Sequence, residues 1–252
     1  KNCIIIHLMD IDRKKWIRMR GIMLKGQICL TVHHFFKTVL HKHNVVVKIQ
    51  CAPDNGGVVA NHEFTLSISS VFRDESMEIA AFQIPNMPPF KDVTKFWMIN
   101  REMYVKAGFE LTRNPEGDVS IAHSYAIEET KYQGTLNHEL DCWWGRSSAV
   151  TKQGDCGSMF VANTPRGLVI SGMHLAGLDN MTVILKVDKD QIDEILNQPQ
   201  FNRLPIIQGG GAPMLSSKDH KFEIGPLHTK SVFRYLEKGS ADVYGTLTGF
   251  RP

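Results

Sequence analysis

The residues best suited to chemistry in this sequence surround a cysteine, in the motif G-D-C-G-S at residues 154–158. Gly154 and Gly157 can adopt the positive φ that tight turns often need, because glycine has no Cβ. Backbone N–H groups in such a turn can converge on one point, where they would hold the oxyanion of a tetrahedral intermediate. Cys156 would then need a base to become a thiolate. The alternative is a turn around a buried cysteine.

A candidate base lies upstream, in the motif L-T-V-H-H at residues 30–34. A predicted strand ends there, and a strand end beside a loop lets an imidazole ring face a cleft. The residues alone do not choose between His33 and His34. The alternative is a pair of surface histidines that precede the aromatic residues Phe35 and Phe36.

A candidate acid lies in the segment E-S-M-E-I-A-A-F at residues 75–82, where Glu78 opens an apolar strand. A carboxylate there could accept the Nδ1–H of the histidine, which fixes the tautomer and stabilises the imidazolium. Glu75 and Asp74 are neighbouring competitors for this role. The alternative is a solvated acidic turn before a strand.

These motifs together resemble the chymotrypsin-like, 3C-like cysteine proteases of picorna-like RNA viruses, over about residues 15–190. L-T-V-H-H resembles the L-T-A-A-H pattern of that family, and E-I-A-A-F resembles the strand opened by its acid. The resemblance implies His34 as general base, Glu78 as acid and Cys156 as nucleophile. It also implies an oxyanion hole from the N–H groups of Cys156 and Gly154. The His–acid gap of 44 residues (78 − 34) fits one small barrel that contributes both.

The motif G-M-H at residues 172–174 places His174 18 residues after the nucleophile (174 − 156). A histidine on an apolar strand is usually a hydrogen-bonded core residue. The family resemblance instead implies that His174 lies in the specificity pocket, with Thr151 beside it. A neutral imidazole and a threonine hydroxyl can both donate to the carbonyl of a glutamine side chain. Because such a pocket rejects residues without that partner, we expect cleavage of a viral polyprotein after glutamine.

Short strands separated by turn residues predict an all-β chain, a chymotrypsin-like fold of two antiparallel barrels with a short C-terminal helix. The helix should run to Leu196, with Asp188 as cap and Ile192 and Ile195 on its apolar face. We expect residues 1–95 to form the N-terminal barrel with the histidine and acid. Residues 96–200 should form the C-terminal barrel with the nucleophile and the specificity pocket.

The remaining chain is predicted to be a linker, residues 201–217, followed by residues 218–252, which resemble the opening of a picorna-like viral RNA-dependent RNA polymerase. The alternative is a C-terminal extension of the protease. A Gln–Gly bond between Gln208 and Gly209 lies in the linker. Exposed linkers are cut most readily, so this bond is a candidate self-processing junction.

A second function class rests on P-P-F-K-D-V-T-K-F at residues 88–96, which resembles a segment that picornaviral proteases use to bind viral RNA. Lys91 and Lys95 would contribute a salt-dependent phosphate attraction with little sequence reading. The rival hypothesis is therefore a protease-fold RNA-binding module. The plainer alternative is a linker that carries two lysines.

Composition is ordinary for a globular protein: 252 residues, 42% hydrophobic, a net charge of +3 and a pI of about 8.6. The five cysteines form no close pair, so neither a zinc site nor a disulfide framework is expected. We expect reduced thiols, host-cell cytoplasm and no metal or organic cofactor. No membrane span or signal peptide is expected, and the initial Lys1 suggests release from a longer chain.

Overall fold

A computed structural model describes residues 2–10, 12, 14–51, 60–99, 104–133 and 138–202. Antiparallel strands dominate these residues, which confirms the all-β prediction. The strands of the first sheet are β1 (Cys3–Asp10), β2 (Lys15–Lys25), β3 (Ile28–Val32), β4 (Asn44–Cys51), β5 (Ala60–Ser67), β6 (Phe72–Asp74) and β7 (Ile79–Gln83). The strands of the second sheet are β8 (Ala107–Arg113), β9 (Val119–Tyr132), β10 (Leu140–Ser147), β11 (Met159–Thr164), β12 (Gly167–Leu178) and β13 (Met181–Lys186).

The first sheet has seven strands in the order β5-β4-β1-β2-β3-β7-β6 and is not closed within the described residues. The first half of the predicted two-barrel fold is therefore an open sheet. The sheet nevertheless curls on itself, because Phe64 of β5 and Phe82 of β7 have ring centroids 6.5 Å apart. Phe36 also packs against Phe82, with 5.9 Å between ring centroids, so three aromatic rings lie together across the sheet.

The second sheet is a closed six-stranded barrel in the order β10-β13-β12-β11-β8-β9. Its interior is apolar, with Trp143 and Phe160 fully buried and their ring centroids 6.1 Å apart. Strand β11 was missed in the sequence analysis, although its apolar residues pair with both β8 and β12. Strand β12 continues beyond the G-M-H motif through Ala176 and Gly177 to Leu178.

The predicted C-terminal helix is α1 (Lys189–Leu196), and a short α2 (Pro199–Asn202) follows it. Asp188 caps α1 as predicted: its side chain accepts from the Gln191 N–H at 3.0 Å. The Gln191 side chain accepts from the Asp188 N–H at 3.1 Å, which completes a capping box. Gln191 Nε2 also lies 2.8 Å from Met77 Sδ, so α1 contacts the turn that leads to Glu78.

Two predictions concern residues outside the described part of the chain: the Gln208–Gly209 junction and the segment 218–252. No helix within the described ranges is long and apolar enough to cross a lipid bilayer.

Candidate active site

The nucleophile loop is a tight turn between β10 and β11 that requires both of its glycines. Gly154 and Gly157 have φ values of 97° and 86°. A Cβ on Gly157 would also lie 2.2 Å from the Arg20 carbonyl oxygen, so no larger residue fits without displacing backbone. The loop is further fixed by hydrogen bonds from Gly157 N–H to the His174 carbonyl, at 2.8 Å, and from Ser158 N–H to the Asp155 carbonyl, at 3.0 Å.

Two N–H groups of this turn, those of Gly154 and Cys156, make no hydrogen bond to an acceptor on another residue in the part of the chain that the structure describes. The neighbouring Asp155 N–H is bound to the Lys152 carbonyl at 3.1 Å. The two free donors are the pair named from the sequence for an oxyanion hole, where donors must be available to a developing charge.

Strand β2 of the first sheet holds the nucleophile loop against the second barrel. Arg20 N–H donates to the Cys156 carbonyl at 2.9 Å, and Thr31 Oγ1 donates to the Arg20 carbonyl at 2.8 Å. The Arg20 guanidinium lies 3.6 Å from the Asp155 carboxylate. Because β3 runs beside β2 and leads into His33, these contacts hold Cys156 close to the histidine pair. The Arg20–Asp155 pair, 135 residues apart in sequence (155 − 20), was missed in the sequence analysis.

Glu78 and His34 form a direct hydrogen bond, 2.7 Å from Glu78 Oε1 to His34 Nδ1. The same oxygen accepts from the His34 backbone N–H at 2.7 Å, so one carboxylate atom fixes both ring and main chain. Glu78 is fully buried and has a φ of 55°, an uncommon conformation for a non-glycine residue. The His34 side chain is 31% exposed, so its ring remains reachable from solvent.

The competing acids have other roles or positions. Asp74 Oδ1 accepts from the Ser76 hydroxyl at 2.6 Å and from the Met77 N–H at 3.0 Å, which stabilises the turn before Glu78. Glu75 is exposed. Of the three candidates, Glu78 is therefore the one that the structure brings to His34.

The charge of Glu78 is maintained despite its burial. Burial raises the pKa of the carboxyl group, but the nearby His33 side chain and the hydrogen bonds from the His34 ring and the His34 N–H outweigh it and lower the pKa to about 2. Glu78 is thus a carboxylate at neutral pH. A buried anion beside Nδ1 stabilises the imidazolium that forms when His34 takes a proton.

His33 makes a second contact with the acid that the sequence analysis did not identify. Its N–H donates to the Glu78 carbonyl at 3.0 Å, and its Nδ1 lies 3.7 Å from Glu78 Oε2. His33 is buried, and its Nδ1 and Glu78 Oε2 make no hydrogen bond within the described residues. The doublet therefore divides into a buried His33 and a partly exposed His34.

Cys156 carries a neutral thiol, not a thiolate. Its Sγ donates to the Leu175 carbonyl at 3.1 Å. Burial, followed by the charge of Asp155, raises the pKa of the Cys156 thiol to about 11. Within the described residues the thiol makes no hydrogen bond to His34. The arrangement is therefore a resting one, in which Cys156 requires proton removal before attack.

His174 lies on β12, buried within the second barrel. Its Nδ1 is 2.9 Å from Thr182 Oγ1 and 2.9 Å from Glu110 Oε2. Glu110 was missed in the sequence analysis. The available signal was a charged residue between Phe109 and Leu111 on an otherwise apolar strand, which requires a buried polar partner.

Thr151 lies against the same strand, as the predicted pocket requires. A Cβ on Gly177 would come 2.2 Å from Thr151 Oγ1, so the threonine side chain occupies the space that glycine leaves. Gly177 is paired across the sheet with Thr182, the partner of His174. Thr151 and His174 are thereby brought to one region of the barrel.

Lys91 and Lys95 lie between the two sheets in sequence, and both are exposed. The Lys91 carbonyl accepts from Asn2 Nδ2 at 2.9 Å, and Lys95 Nζ lies 4.8 Å from the centroid of the Phe96 ring. Asp92, between them, forms an ion pair with Lys25 at 3.5 Å. The segment therefore exposes two lysine side chains together with the carboxylate of Asp92.

Comparisons with known proteins agree with this architecture. The chain is 25% identical over 171 residues to the RNA1 polyprotein of Red clover mottle virus; the match covers 63% of this chain and 9% of the polyprotein. A mutant of the tobacco etch virus protease superposes with a TM-score of 0.56 at 16% identity, covering 79% of this chain and 78% of that chain. The tobacco vein mottling virus protease gives a TM-score of 0.53 at 16% identity, covering 79% and 82%.

A bacterial protease, Rv3671c of M. tuberculosis, has the same fold, with a TM-score of 0.51 at 16% identity and coverage of 77% and 79%. No protein-family model matches the chain. The predicted chymotrypsin-like two-barrel fold is thus confirmed, with the first barrel present as a curled open sheet. The resemblance to viral proteases of this fold is confirmed as well.

Proposed function

We propose that this chain is a cysteine endopeptidase that processes a viral polyprotein by cleaving after glutamine. The observation that carries the proposal is the Glu78–His34 pair, 2.7 Å apart, beside a glycine-flanked cysteine that two strands of the first sheet hold in place. The similarity to the RNA1 polyprotein and to solved viral proteases supports the class of reaction and of substrate.

Acylation begins when His34 Nε2 takes the proton of the Cys156 thiol, while Glu78 holds Nδ1–H and stabilises the imidazolium. The sulfur attacks the scissile carbonyl carbon, and the N–H groups of Gly154 and Cys156 bind the resulting oxyanion. The tetrahedral intermediate collapses when the C–N bond breaks. His34 returns the proton to the departing amine, leaving a thioester on Cys156.

Deacylation repeats the sequence with water. His34 takes a proton from the water as its oxygen attacks the thioester carbonyl. The C–S bond breaks, the product leaves as a carboxylic acid, and the sulfur regains a proton from His34. Both half-reactions use the same base, acid and oxyanion donors, so one site serves both.

Glutamine recognition is assigned to His174 and Thr151. Their position on and beside β12 would give the pocket polar groups that a substrate side chain unable to hydrogen-bond leaves unpaired. Solved structures of tobacco etch virus protease hold a product or a substrate, which supports a peptide as partner here. We place this activity in the host-cell cytoplasm.

The test is cleavage of a synthetic peptide that spans Gln208–Gly209, followed by mass spectrometry. We expect one cut, after glutamine, with the native chain. Cys156→Ala should abolish cleavage, whereas Cys51→Ala, which removes another half-buried thiol, should leave it unchanged. Equal cleavage by both variants would contradict the assignment of the nucleophile, and a cut at another residue would contradict glutamine specificity.

An RNA-binding module is the second candidate, supported by the exposure of Lys91 and Lys95 on one segment. Phosphate contacts weaken as salt increases. The double variant Lys91→Ala, Lys95→Ala should then lose affinity for single-stranded RNA and reduce its salt dependence, with peptide cleavage unchanged. RNA affinity that is equal in the native chain and the variant would rule out this role.

A further inference from the structure

Glu110 is a buried carboxylate with one oxygen at His174 and the other at Thr182, which is itself a partner of His174. It lies on β8 and is 4% exposed. Oε2 is 2.9 Å from His174 Nδ1, and Oε1 accepts from the Thr182 hydroxyl at 2.7 Å. Ser124 of β9 stands behind it, with its hydroxyl 3.5 Å from Oε1. A carboxylate is rarely buried unless it is paired in this way.

These contacts determine which nitrogen of His174 carries a proton. Burial raises the pKa of Glu110, but the His174 and Thr182 hydrogen bonds outweigh it and the pKa is lowered, so the group is a carboxylate. Thr182 has one hydroxyl hydrogen, and Glu110 Oε1 receives it. Both atoms that face Nδ1, the Thr182 oxygen and Glu110 Oε2, are then acceptors. Nδ1 must therefore be the donor.

Nε2 is the ring atom that remains for a ligand, because no hydrogen bond reaches it within the described parts of the chain. In a neutral ring with Nδ1–H, Nε2 is a lone-pair acceptor; in an imidazolium it is a donor. This reverses the sequence expectation, in which a neutral His174 donates to the glutamine carbonyl. A neutral His174 can instead accept from the glutamine amide N–H.

We propose that Glu110 makes the specificity pocket discriminate between a side-chain amide and a side-chain carboxylate according to the charge of His174. This inference rests on the proposed protease function. With His174 neutral, the pocket holds one negative charge, on Glu110, and repels a substrate glutamate while accepting a glutamine. With His174 protonated, the Glu110 charge is balanced, and Nε2–H can donate to a substrate carboxylate.

The groups around the His174 ring indicate that His174 and Glu110 are the pair that would set a pH response of the pocket. Glu110 from β8 and Thr182 from β13 face Nδ1, with Ser124 of β9 behind the carboxylate. The nucleophile loop contributes main-chain contacts, since His174 N–H donates to the Ser158 carbonyl at 2.8 Å and the His174 carbonyl accepts from Gly157. Asp155 and Cys156 are the titratable groups of that loop. Their effect on the rate is common to glutamine and glutamate substrates, so it cancels when kcat/KM for one substrate is divided by kcat/KM for the other.

The experiment compares two peptides that differ only in glutamine or glutamate before the scissile bond. The ratio of kcat/KM for the glutamate peptide to that for the glutamine peptide is measured from about pH 8.5 to about pH 5.5. Free glutamate stays ionised over this range, because its pKa is about 4.3. We expect the ratio to be about tenfold or more higher at the acidic end of this range than at the alkaline end, because a balanced Glu110 charge no longer repels the substrate carboxylate. A ratio that is constant with pH would overturn the proposal.

Two variants distinguish the effect of the Glu110 charge on the ratio from that of other acids on the barrel. Glu110→Gln preserves the shape but removes the negative charge, and should raise the ratio at about pH 8, where the native pocket repels the glutamate peptide. Glu128→Gln, at an exposed acid on β9, should leave the response as in the native chain. If Glu110→Gln retains the native ratio at that pH, Glu110 does not set the discrimination.

The tautomer can be read directly from ¹⁵N NMR of the native chain, with His174 assigned by comparison with His174→Gln. A proton on Nδ1 at about pH 8 is expected, whereas a neutral Nε2–H ring would overturn the proposal. This measurement does not require catalysis. If neither peptide is cleaved, the proposed protease function fails, and the NMR result still decides the role of Glu110.

Discussion

Glu78 is the residue on which the charge balance of the catalytic pair depends, because one of its oxygens binds both the ring and the main chain of His34. Glu78→Gln retains the size of the side chain but removes the charge that stabilises the imidazolium. We expect kcat for peptide cleavage to fall by about 10²–10⁴-fold. Glu75→Gln, at the exposed competitor, is the matched control. A larger loss with Glu75→Gln would show that Glu78 is not the acid.

The same carboxylate also links stability to pH. Its pKa is lowered to about 2 in the folded chain, against about 4.3 for an unperturbed glutamate. Its contribution to stability is therefore complete above about pH 4.3 and is lost as the pH falls towards 2. We expect the gap in the free energy of unfolding between native chain and Glu78→Gln to shrink from about pH 5 to about pH 2.5, measured by urea denaturation. A constant gap would contradict an ionised Glu78.

Cys156 should react as a thiol and not as a preformed ion pair. Its pKa is raised to about 11, and its hydrogen is directed to the Leu175 carbonyl. Alkylation by iodoacetamide, followed by peptide mapping, should therefore accelerate by about tenfold per pH unit between about pH 7 and about pH 10, since the thiolate is the nucleophile. A plateau between about pH 5 and about pH 8 would instead reveal a thiolate paired with protonated His34.

At the scale of elements, the nucleophile loop depends on its close contact with β2. Gly157→Ala would add both strain from a φ of 86° and a Cβ 2.2 Å from the Arg20 carbonyl. Gly167→Ala adds similar φ strain, at 107°, with no atom within 4 Å of the Cβ. Backbone strain should lower the free energy of unfolding of each variant by about 1–3 kcal/mol. The decrease should be larger for Gly157→Ala, because its Cβ also meets the Arg20 carbonyl, and this variant should no longer cleave the peptide.

Thermal unfolding and cleavage assays on both glycine variants check this expectation. Equal destabilisation with retained activity would show that the loop can move away from β2 without consequence. The comparison isolates the close approach of two elements, because both glycines have a positive φ but only the Cβ at position 157 meets a neighbouring backbone.

The sequence predicted the elements whose signals are local. His34 at a strand end, Glu78 before an apolar strand and Asp188 at a helix cap each stand within a few residues of the pattern that identifies them. The contacts of Arg20 with Asp155 and of Glu110 with His174 join elements far apart in the chain. A single sequence without its topology contains no local pattern for such pairs, so only the three-dimensional arrangement reveals them.

Strand β11 shows a different limit of sequence patterns. Its first four residues, Met159 to Ala162, are apolar and all buried, so the strand lacks the alternation that marks a half-exposed strand. The closed barrel also required β8, β11 and β12 to pair in an order that local periodicity does not encode. The curled, open form of the first sheet was likewise not predicted, because closure depends on the register between distant strands.

At the scale of the whole molecule, the chain carries three Gln–Gly bonds, at positions 133–134, 153–154 and 208–209. The second lies in the packed nucleophile loop, and the third lies six residues beyond α2 (208 − 202). We expect the purified full chain to cut itself only after Gln208, detected by intact mass spectrometry. The Cys156→Ala chain should stay intact, and identical cleavage of both chains would disprove self-processing.

The central claim is that Cys156 is a nucleophile activated by His34 and directed to glutamine. Its most direct test is intact mass spectrometry with peptide mapping after exposure to a peptide that ends in an electrophilic glutamine mimic. We predict one adduct per chain, on Cys156, and none on His34→Ala over the same time. No adduct on a folded native chain, or equal labelling of Cys51 and Cys156, would contradict the account.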